Sequence, residues 1–248
     1  FFTSVDNQFG FKKGLSCSHA IYTVRNLVER FISGGSTVNI CAIDLSKAFD
    51  KVNHYALLLK LMQRNIPCNM LYILENWFNK CFTCVKWKSI LSPFFKIDFG
   101  VRQGSVLSPL LFSIYINDIV NRFNINQRIF IVLYADDILL IAPSITELQL
   151  LFNLCELELA WLDMCINVKK SCCMRIGPRF DSHCTNITSI DGRSLPWVKE
   201  LRYLGIFIVS SRKFKCSLDH AKRAFYLAAI GIFGKVTRAA SEEVVIHL

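Results

Sequence analysis

Apolar positions along this chain change period several times, and each change marks an element. Ala20, Ile21, Val24, Leu27, Val28 and Phe31 recur at the spacing of one helical face, and Gly34 with Gly35 ends that run. In TVNICAIDLS the β-branched stretch from Val38 to Ile43 reads as a buried strand with Asp44 at its C-terminal end. Helical periodicity returns in FDKVNHYALLLKLM and again around MLYILENWFNK, and CFTCVKWK with FFKIDF alternates enough to predict a two-stranded ribbon. Ser108 and Pro109 are placed as the cap and first-turn proline of a helix through LLFSIYINDIVNRF. The apolar runs RIFIVLY and ILLIA flank Ala135, Asp136 and Asp137, which predicts a β-hairpin with two acids at its tip. A helix over about 146–164, strands near CCMRIG and LRYLGIFIV, and a basic helix over about 218–236 complete an α+β order. No internal repeat, low-complexity tract or Pro/Gly/Ser-rich linker interrupts it.

Composition narrows what those elements can do. At 248 residues and 52% hydrophobic content the chain is long enough for a sizeable buried core, as one large domain or two small ones. A formal charge of +10, spread along the chain rather than gathered in a tail, suits a broad positive surface and makes nucleic acid the leading partner class. The mean hydropathy of +0.35 raises the question of a membrane. However, IFIVLYADDILLIA carries two aspartates at its middle, and AFYLAAIGIFG falls well short of the roughly 20 residues a spanning helix needs. No membrane partner is expected. The 11 cysteines are odd in number and lack the dense spacing of a secreted scaffold, so reduced intracellular thiols are expected. Cys81 with Cys84 and Cys172 with Cys173 make close pairs, but neither has the spaced partners of a structural zinc site. The chain opens at Phe1 without an initiator Met and reads as a fragment.

The acids carry the candidate chemistry. Phosphoryl transfer to an incoming nucleotide uses two divalent ions about 3.5 to 4 Å apart, which two or three converging carboxylates must hold. Neighbouring strands lie about 4.8 Å apart, so an acid ending one strand and an acid at the tip of an adjacent hairpin can bridge such a pair. Asp44 and Asp136 fit that geometry, and hard oxygen ligands favour Mg²⁺ or Mn²⁺. Apolar flanks would otherwise bury Asp136 and Asp137 with no cation near, at about several kcal/mol per charge. Spacing alone leaves a solvated Asp-Asp turn equally open.

Motif order goes further. AIDLSKAFDKVNH, GVRQGSVLSPLLFSIYINDI, YADDILLIA, INVKKSCCMRIG and ELRYLGI resemble, in that order, the palm motifs of reverse transcriptases, especially those of non-LTR (LINE-type) retrotransposons. QFGFKKGLSCSHAI is similar to the last fingers motif of the same family. A lone YADD is weak, but six ordered motifs over about residues 8–210 are very specific. The resemblance implies a right-hand polymerase with an antiparallel-sheet palm backed by helices, partial fingers and the start of a thumb. It assigns 1–36 to partial fingers, 37–54 and 99–208 to the palm, 55–98 to fingers/palm helices and the ribbon, and 209–248 to the start of the thumb.

It also implies roles. Asp44, Asp136 and Asp137 match the metal-holding aspartates, with Asp50 as a lower-ranked alternative in a segment already turned helical. Phe49 stands where the family keeps an aromatic ring that would collide with a ribose 2′-hydroxyl. Gln103 and Gly104 match the pair beside the nucleotide pocket, where an amide can hydrogen-bond and a missing side chain admits the template. Arg102 departs from the proline common in relatives. Tyr134, which opens YADD, is placed with the substrate-binding residues. Lys170 matches the lysine near the departing pyrophosphate, where it could act as general acid, with Lys169 one position away. Lys12 stands where relatives often carry arginine; it keeps the charge but loses the bidentate fork. Tyr203, Leu204 and Gly205 resemble the hairpin that grips the primer end, and Arg212, Lys213, Lys215, Lys222, Arg223, Lys235 and Arg238 would track phosphates.

The expected reaction is RNA-directed DNA polymerisation with two Mg²⁺ or Mn²⁺ ions, an RNA template, a DNA primer and dNTPs, in the nucleus or cytoplasm within a retroelement ribonucleoprotein. The oligomeric state is not legible. The first fingers segment is expected before Phe1 and most of the thumb after Leu248. A retroelement remnant that binds nucleic acid without polymerising, and a group II intron-type maturase reverse transcriptase, are the rival readings.

Overall fold

The computed structural model describes residues 7–121 and 128–236. The end of the helix predicted through Phe123, and Arg238 at the chain's end, lie outside the described residues. In chain order, α1 (Cys17–Ser33) and β1 (Val38–Ile43) lead through a 3-10 turn (Ala48–Lys51) to α2 (His54–Gln63) and α3 (Cys68–Asn79). Four two-residue strands follow, β2 (Phe82–Thr83), β3 (Lys86–Trp87), β4 (Ile90–Leu91) and β5 (Phe95–Lys96), then α4 (Ser108–Ile116) and α5 (Asp118–Asn121). The remainder is β6 (Phe130–Tyr134), β7 (Asp137–Ala142), α6 (Ile145–Trp161), β8 (Cys172–Ile176), β9 (Glu200–Tyr203), β10 (Ile206–Val209), β11 (Lys215–Ser217) and α7 (Asp219–Val236).

The runs that looked continuously apolar do so because they bury both faces. β6, β7, β1 and β8 form one antiparallel sheet in that order. Alternate residues of each strand go to different cores. Cys41, Ile43, Ile138, Leu140 and Leu133 face a large core shared with α2, α3, α4 and α6. Val38, Ile40, Leu139, Ile141 and Val132 face a second core closed by α1 and by the β9–β10 hairpin. Truncating a fully buried Leu140 or Ile40 would open a cavity costing about 2–5 kcal/mol.

Local chemistry sets the boundaries. Ser144 caps α6 by accepting the Glu147 N–H at 3.1 Å, and Asn53 caps α2 through the N–H groups of Tyr55 and Ala56. Two expectations are corrected. Leu107, not Ser108, is the cap residue of α4; Ser108 is its first residue, and its buried hydroxyl has no partner among the described residues, while Pro109 does sit in the first turn. α6 stops at Trp161, three residues before the predicted end. The expected two-stranded ribbon is present as two nested ladders, β2–β5 outside and β3–β4 inside. LRYLGIFIV forms the hairpin that the resemblance implied, and β11, which sequence periodicity missed, pairs with β10. All 11 cysteines are free thiols, and among the described residues no helix is long and apolar enough to cross a membrane.

Candidate active site

Strand register brings the acids together. β1 and β7 pair as far as Ile43 opposite Ile138, so Asp44, one residue on, and Asp137, one residue back, end neighbouring strands. By alternation both share the face of Ile40 and Leu139, the side closed by α1 and β9–β10. Asp136 occupies the two-residue turn with Ala135, whereas Asp137 is the first residue of β7 rather than part of the tip. Ala135 has φ of 55°, the left-handed region usually left to glycine. Gly10 lies against that turn so closely that a Cβ there would meet the Ala135 nitrogen at 2.4 Å. The Phe9 N–H donates to Leu133 O and the Leu133 N–H to Asn7 O, both at 2.9 Å, so the first described residues brace the hairpin from its edge.

Asp44 is held by its backbone. Its N–H donates to Ser171 Oγ at 3.0 Å, and its carbonyl accepts the Asn167 N–H at 2.8 Å. The fully buried Ser171 hydroxyl donates to Asn167 O at 2.9 Å, so one loop clamps both sides of the Asp44 peptide. Lys170 sits in that loop, exposed, with its own N–H on Asn167 O at 3.0 Å; Lys169 beside it is also exposed.

Burial, then the charges of Asp136 and Asp44, push the Asp137 carboxyl above its ordinary range, against a smaller pull from the Arg202 guanidinium. Tyr203 lies buried under this face. Desolvation first, then the charge of Asp137, raises its phenol, and its hydroxyl has no partner among the described residues. The Tyr134 phenol is raised mainly by its hydrogen bond with the Cys17 thiol. Leu204 and Gly205 form the tip of β9–β10 with φ of 46° and 85°. A leucine in that region is strained, which fits a turn held by packing against the second core.

The remaining predicted residues form a second wall. Phe49 stacks on Phe112 at 4.5 Å and meets Phe11 edge-on at 6.4 Å, so its ring is fixed between α4 and the turn that carries half-buried Lys12. The Val101 N–H donates to Phe49 O at 2.8 Å, which ties the segment before Gln103 to the 3-10 turn. Gly104 has φ of 84° in the turn closed by Ser105 N–H to Arg102 O, and nothing stands within 4 Å of where its Cβ would be. Gln103 and Gly104 are both exposed. Asp50 does not join the other acids; with Gln103, Trp77 and Phe99 it lines a separate cavity of about 470 Å³.

Sequence reasoning missed Ser171, Arg202 and Gly10. Gly10 alone left a local signal, as the glycine of QFGF.

Two observations on metal binding differ. Among the described residues no three His, Cys, Asp or Glu side chains stand in ready-made ligand geometry. The register and the mutual charge effects nevertheless put Asp44 and Asp137 at adjacent strand ends, with Asp136 in the turn beside them. Side-chain rotation is inexpensive, so the backbone placement lets the three carboxylates turn toward a shared cation. An all-oxygen, crowded anionic set fits Mg²⁺ or Mn²⁺.

Residues 3–208 match the family model described as reverse transcriptase (RNA-dependent DNA polymerase). The chain belongs to that family. This reverse transcriptase domain is 28% identical over 234 residues to the RNA-directed DNA polymerase from mobile element jockey of Drosophila funebris, covering 87% of this chain and 25% of that protein. It is 31% identical over 116 residues to the retrovirus-related Pol polyprotein from type-1 retrotransposable element R2 of Popillia japonica, covering 43% of this chain and 19% of that protein. The likeness to non-LTR retrotransposon polymerases is thus found across the chain, which spans 25% of the length of jockey-type relatives. Telomerase from Candida tropicalis, solved in complex with a TWJ fragment of telomeric RNA, shares the fold with a TM-score of 0.62 at 13% identity, over 86% of this chain and 34% of that one. The mixed, antiparallel palm architecture therefore holds.

Proposed function

We propose that this domain copies an RNA template into DNA by adding dNTPs to a primer 3′ end, with two divalent ions held by Asp44, Asp136 and Asp137. The observation that carries this reading is the meeting of Asp44 and Asp137 on facing strand ends, one peptide from Asp136, where burial and mutual repulsion leave the acids short of positive charge. Bound ions would activate the attacking primer oxygen and steady the leaving pyrophosphate. The protein's part is placement. The Ser171–Asn167 clamp keeps Asp44 in register, and the β6–β7 turn fixes Asp136. Phe49, immobilised by Phe112, is placed to exclude a ribose 2′-hydroxyl, and the open backbone at Gly104 leaves room for the template base. Lys170 is a candidate proton donor to pyrophosphate, Lys12 and Tyr134 are candidate contacts to the nucleotide, and Tyr203, Leu204 and Gly205 would bear on the primer end.

The test is extension of oligo(dT) on poly(rA) with Mg²⁺ or Mn²⁺. Asp136→Ala, with folding checked by circular dichroism, should lose about a thousandfold or more in rate, since metal-borne stabilisation is worth several kcal/mol at about 1.36 kcal/mol per tenfold. Undiminished extension in that variant would sink the assignment. Equal nucleic-acid binding by both proteins with extension by neither would identify a remnant that binds without polymerising.

A further inference from the structure

The ribbon between α3 and α4 has no use in the site just described, and its surface is unlike the rest of the domain. Its outer ladder pairs Phe82 with Lys96 and Thr83 with Phe95, and its inner ladder pairs Trp87 with Ile90 and Lys86 with Leu91. Side chains on both faces are in water: Trp87 is 73% exposed, Phe94 71%, Phe95 50% and Phe82 49%. A two-stranded ribbon wet on both faces is marginal by itself, and an apolar surface of this kind marks a binding site. Charge identifies the occupant. From Lys80 to Arg102 the chain carries five basic residues, Lys80, Lys86, Lys88, Lys96 and Arg102, against the single acid Asp98. Asp98 occupies only Lys96, at 3.3 Å. Cross-strand pairing sets the Phe82 ring beside the Lys96 cation, and Trp87 stands between Lys86 and Lys88 along the chain, with strand alternation sending the Lys86 side chain to the other face; rings and cations interspersed in this way match the alternation of base and phosphate in an unpaired strand. A hydrophobic protein partner explains the rings but not the excess of cations. The ribbon is also tied to the turn before Gly104, because the Arg102 guanidinium donates to Phe82 O at 3.4 Å.

We propose that this ribbon is a stacking platform for unpaired template RNA, lying next to the Gln103–Gly104 turn and holding the strand before it is copied. The assignment rests on the polymerase reading for the strand's identity, while the platform's preference for single strands follows from its own surface. Bases stack on Trp87, Phe94 and Phe82 irrespective of sequence, and the lysines neutralise phosphates, so affinity falls steeply with salt.

Fluorescence anisotropy of labelled oligo(rU) with the full chain tests it. Trp87→Ala and Phe94→Ala should each raise Kd about tenfold, Trp87→Phe should restore most of the affinity, and Lys86→Gln with Lys88→Gln should flatten the salt dependence. Because these side chains are exposed, folding is little affected, and extension at saturating template should keep its rate while the KM for template rises. Kd values unchanged within about twofold would overturn the proposal. So would a change in sedimentation from dimer to monomer on Trp87→Ala, which would make a second copy the occupant. Reading extension beside binding separates the two proposals: ribbon-dependent binding without extension in the wild type overturns only the polymerase, and extension with ribbon-independent binding overturns only the platform.

Discussion

Two hairpins in this domain share a turn and differ in everything around it. β6–β7 turns through Ala135 and Asp136, and β3–β4 turns through Lys88 and Ser89; each puts a non-glycine residue in the left-handed region, with φ of 55° at Ala135 and 52° at Lys88. The first is paired along β1, sandwiched between two cores and braced by Gly10; the second has every strand residue exposed. Turn geometry therefore does not distinguish the hairpin that carries the candidate site from a bare one. Support does: the buried hairpin holds two carboxylates where they repel each other, and the bare one is left to take up a ligand.

Removing the brace should have the largest effect on stability. A methyl at Gly10 would press on backbone atoms of Tyr134 and Ala135, which cannot swing aside as a side chain would. Gly10→Ala should cost about 1–3 kcal/mol in urea denaturation and should lower extension by displacing Asp136. Ser89→Ala, in the bare turn itself, should stay within about 0.5 kcal/mol. Equal losses in the two variants would mean that the 7–10 segment does not support the site.

Repulsion among the acids gives a smaller, pH-dependent effect. Asp137 has its carboxyl raised above the ordinary 3.8, so in metal-free buffer its ionised form disfavours the native state. That penalty is fully present above the raised value, fades as pH falls through it and is gone below 3.8. Asp137→Asn should accordingly raise Tm at pH 7, by about 2 °C after allowing for solvent screening at a partly exposed group, and the gain should vanish near pH 3. Added Mg²⁺ should raise the Tm of the wild type but not of Asp137→Asn, because only a protein that binds the ion is stabilised by it. A lower Tm for Asp137→Asn in EDTA at pH 7 would show that Arg202 outweighs the two neighbouring acids.

The same contrast shows what could be read from the sequence. Val38 to Ile43 was legible to the residue because a strand buried on both faces leaves an unbroken apolar run, and Asp44 stood out as the charge that ends it. The last helix was legible to within a residue at its start. Motif order supplied Asp136 and Asp137, and their placement relative to Asp44 followed from strand pairing that no local pattern encodes. Ser171 was illegible because its role depends on a loop folding back onto a strand 127 residues earlier, where its hydroxyl takes the Asp44 N–H. Arg202 looked like any basic residue on an exposed strand position. Ser108 was misplaced because serine before proline fits a cap equally well one residue on, and only the backbone at Leu107 decides between them. The ribbon's strands were foreseen, whereas its lack of cover was not, since alternation in sequence does not say whether either face finds a partner.

The smallest expected effect tests support most directly, because it changes the same atom in both turns. Replacing a left-handed residue by glycine relieves about 1–2 kcal/mol of steric cost and returns about 0.4–1 kcal/mol through the freer unfolded chain. At exposed Lys88 nothing else changes, so Lys88→Gly should be neutral or stabilise by up to about 1.5 kcal/mol. Ala135 is 8% exposed and lies beneath Gly10, so Ala135→Gly also loses a buried methyl, worth about 0.8 kcal/mol. The net change at Ala135 should therefore fall below that at Lys88 by about that amount, read as the difference between two urea midpoints. Identical shifts would mean that the Ala135 methyl contributes nothing to holding the turn, leaving the hydrogen bonds that Leu133 accepts from Phe9 and donates to Asn7 as the brace that keeps Asp136 in place.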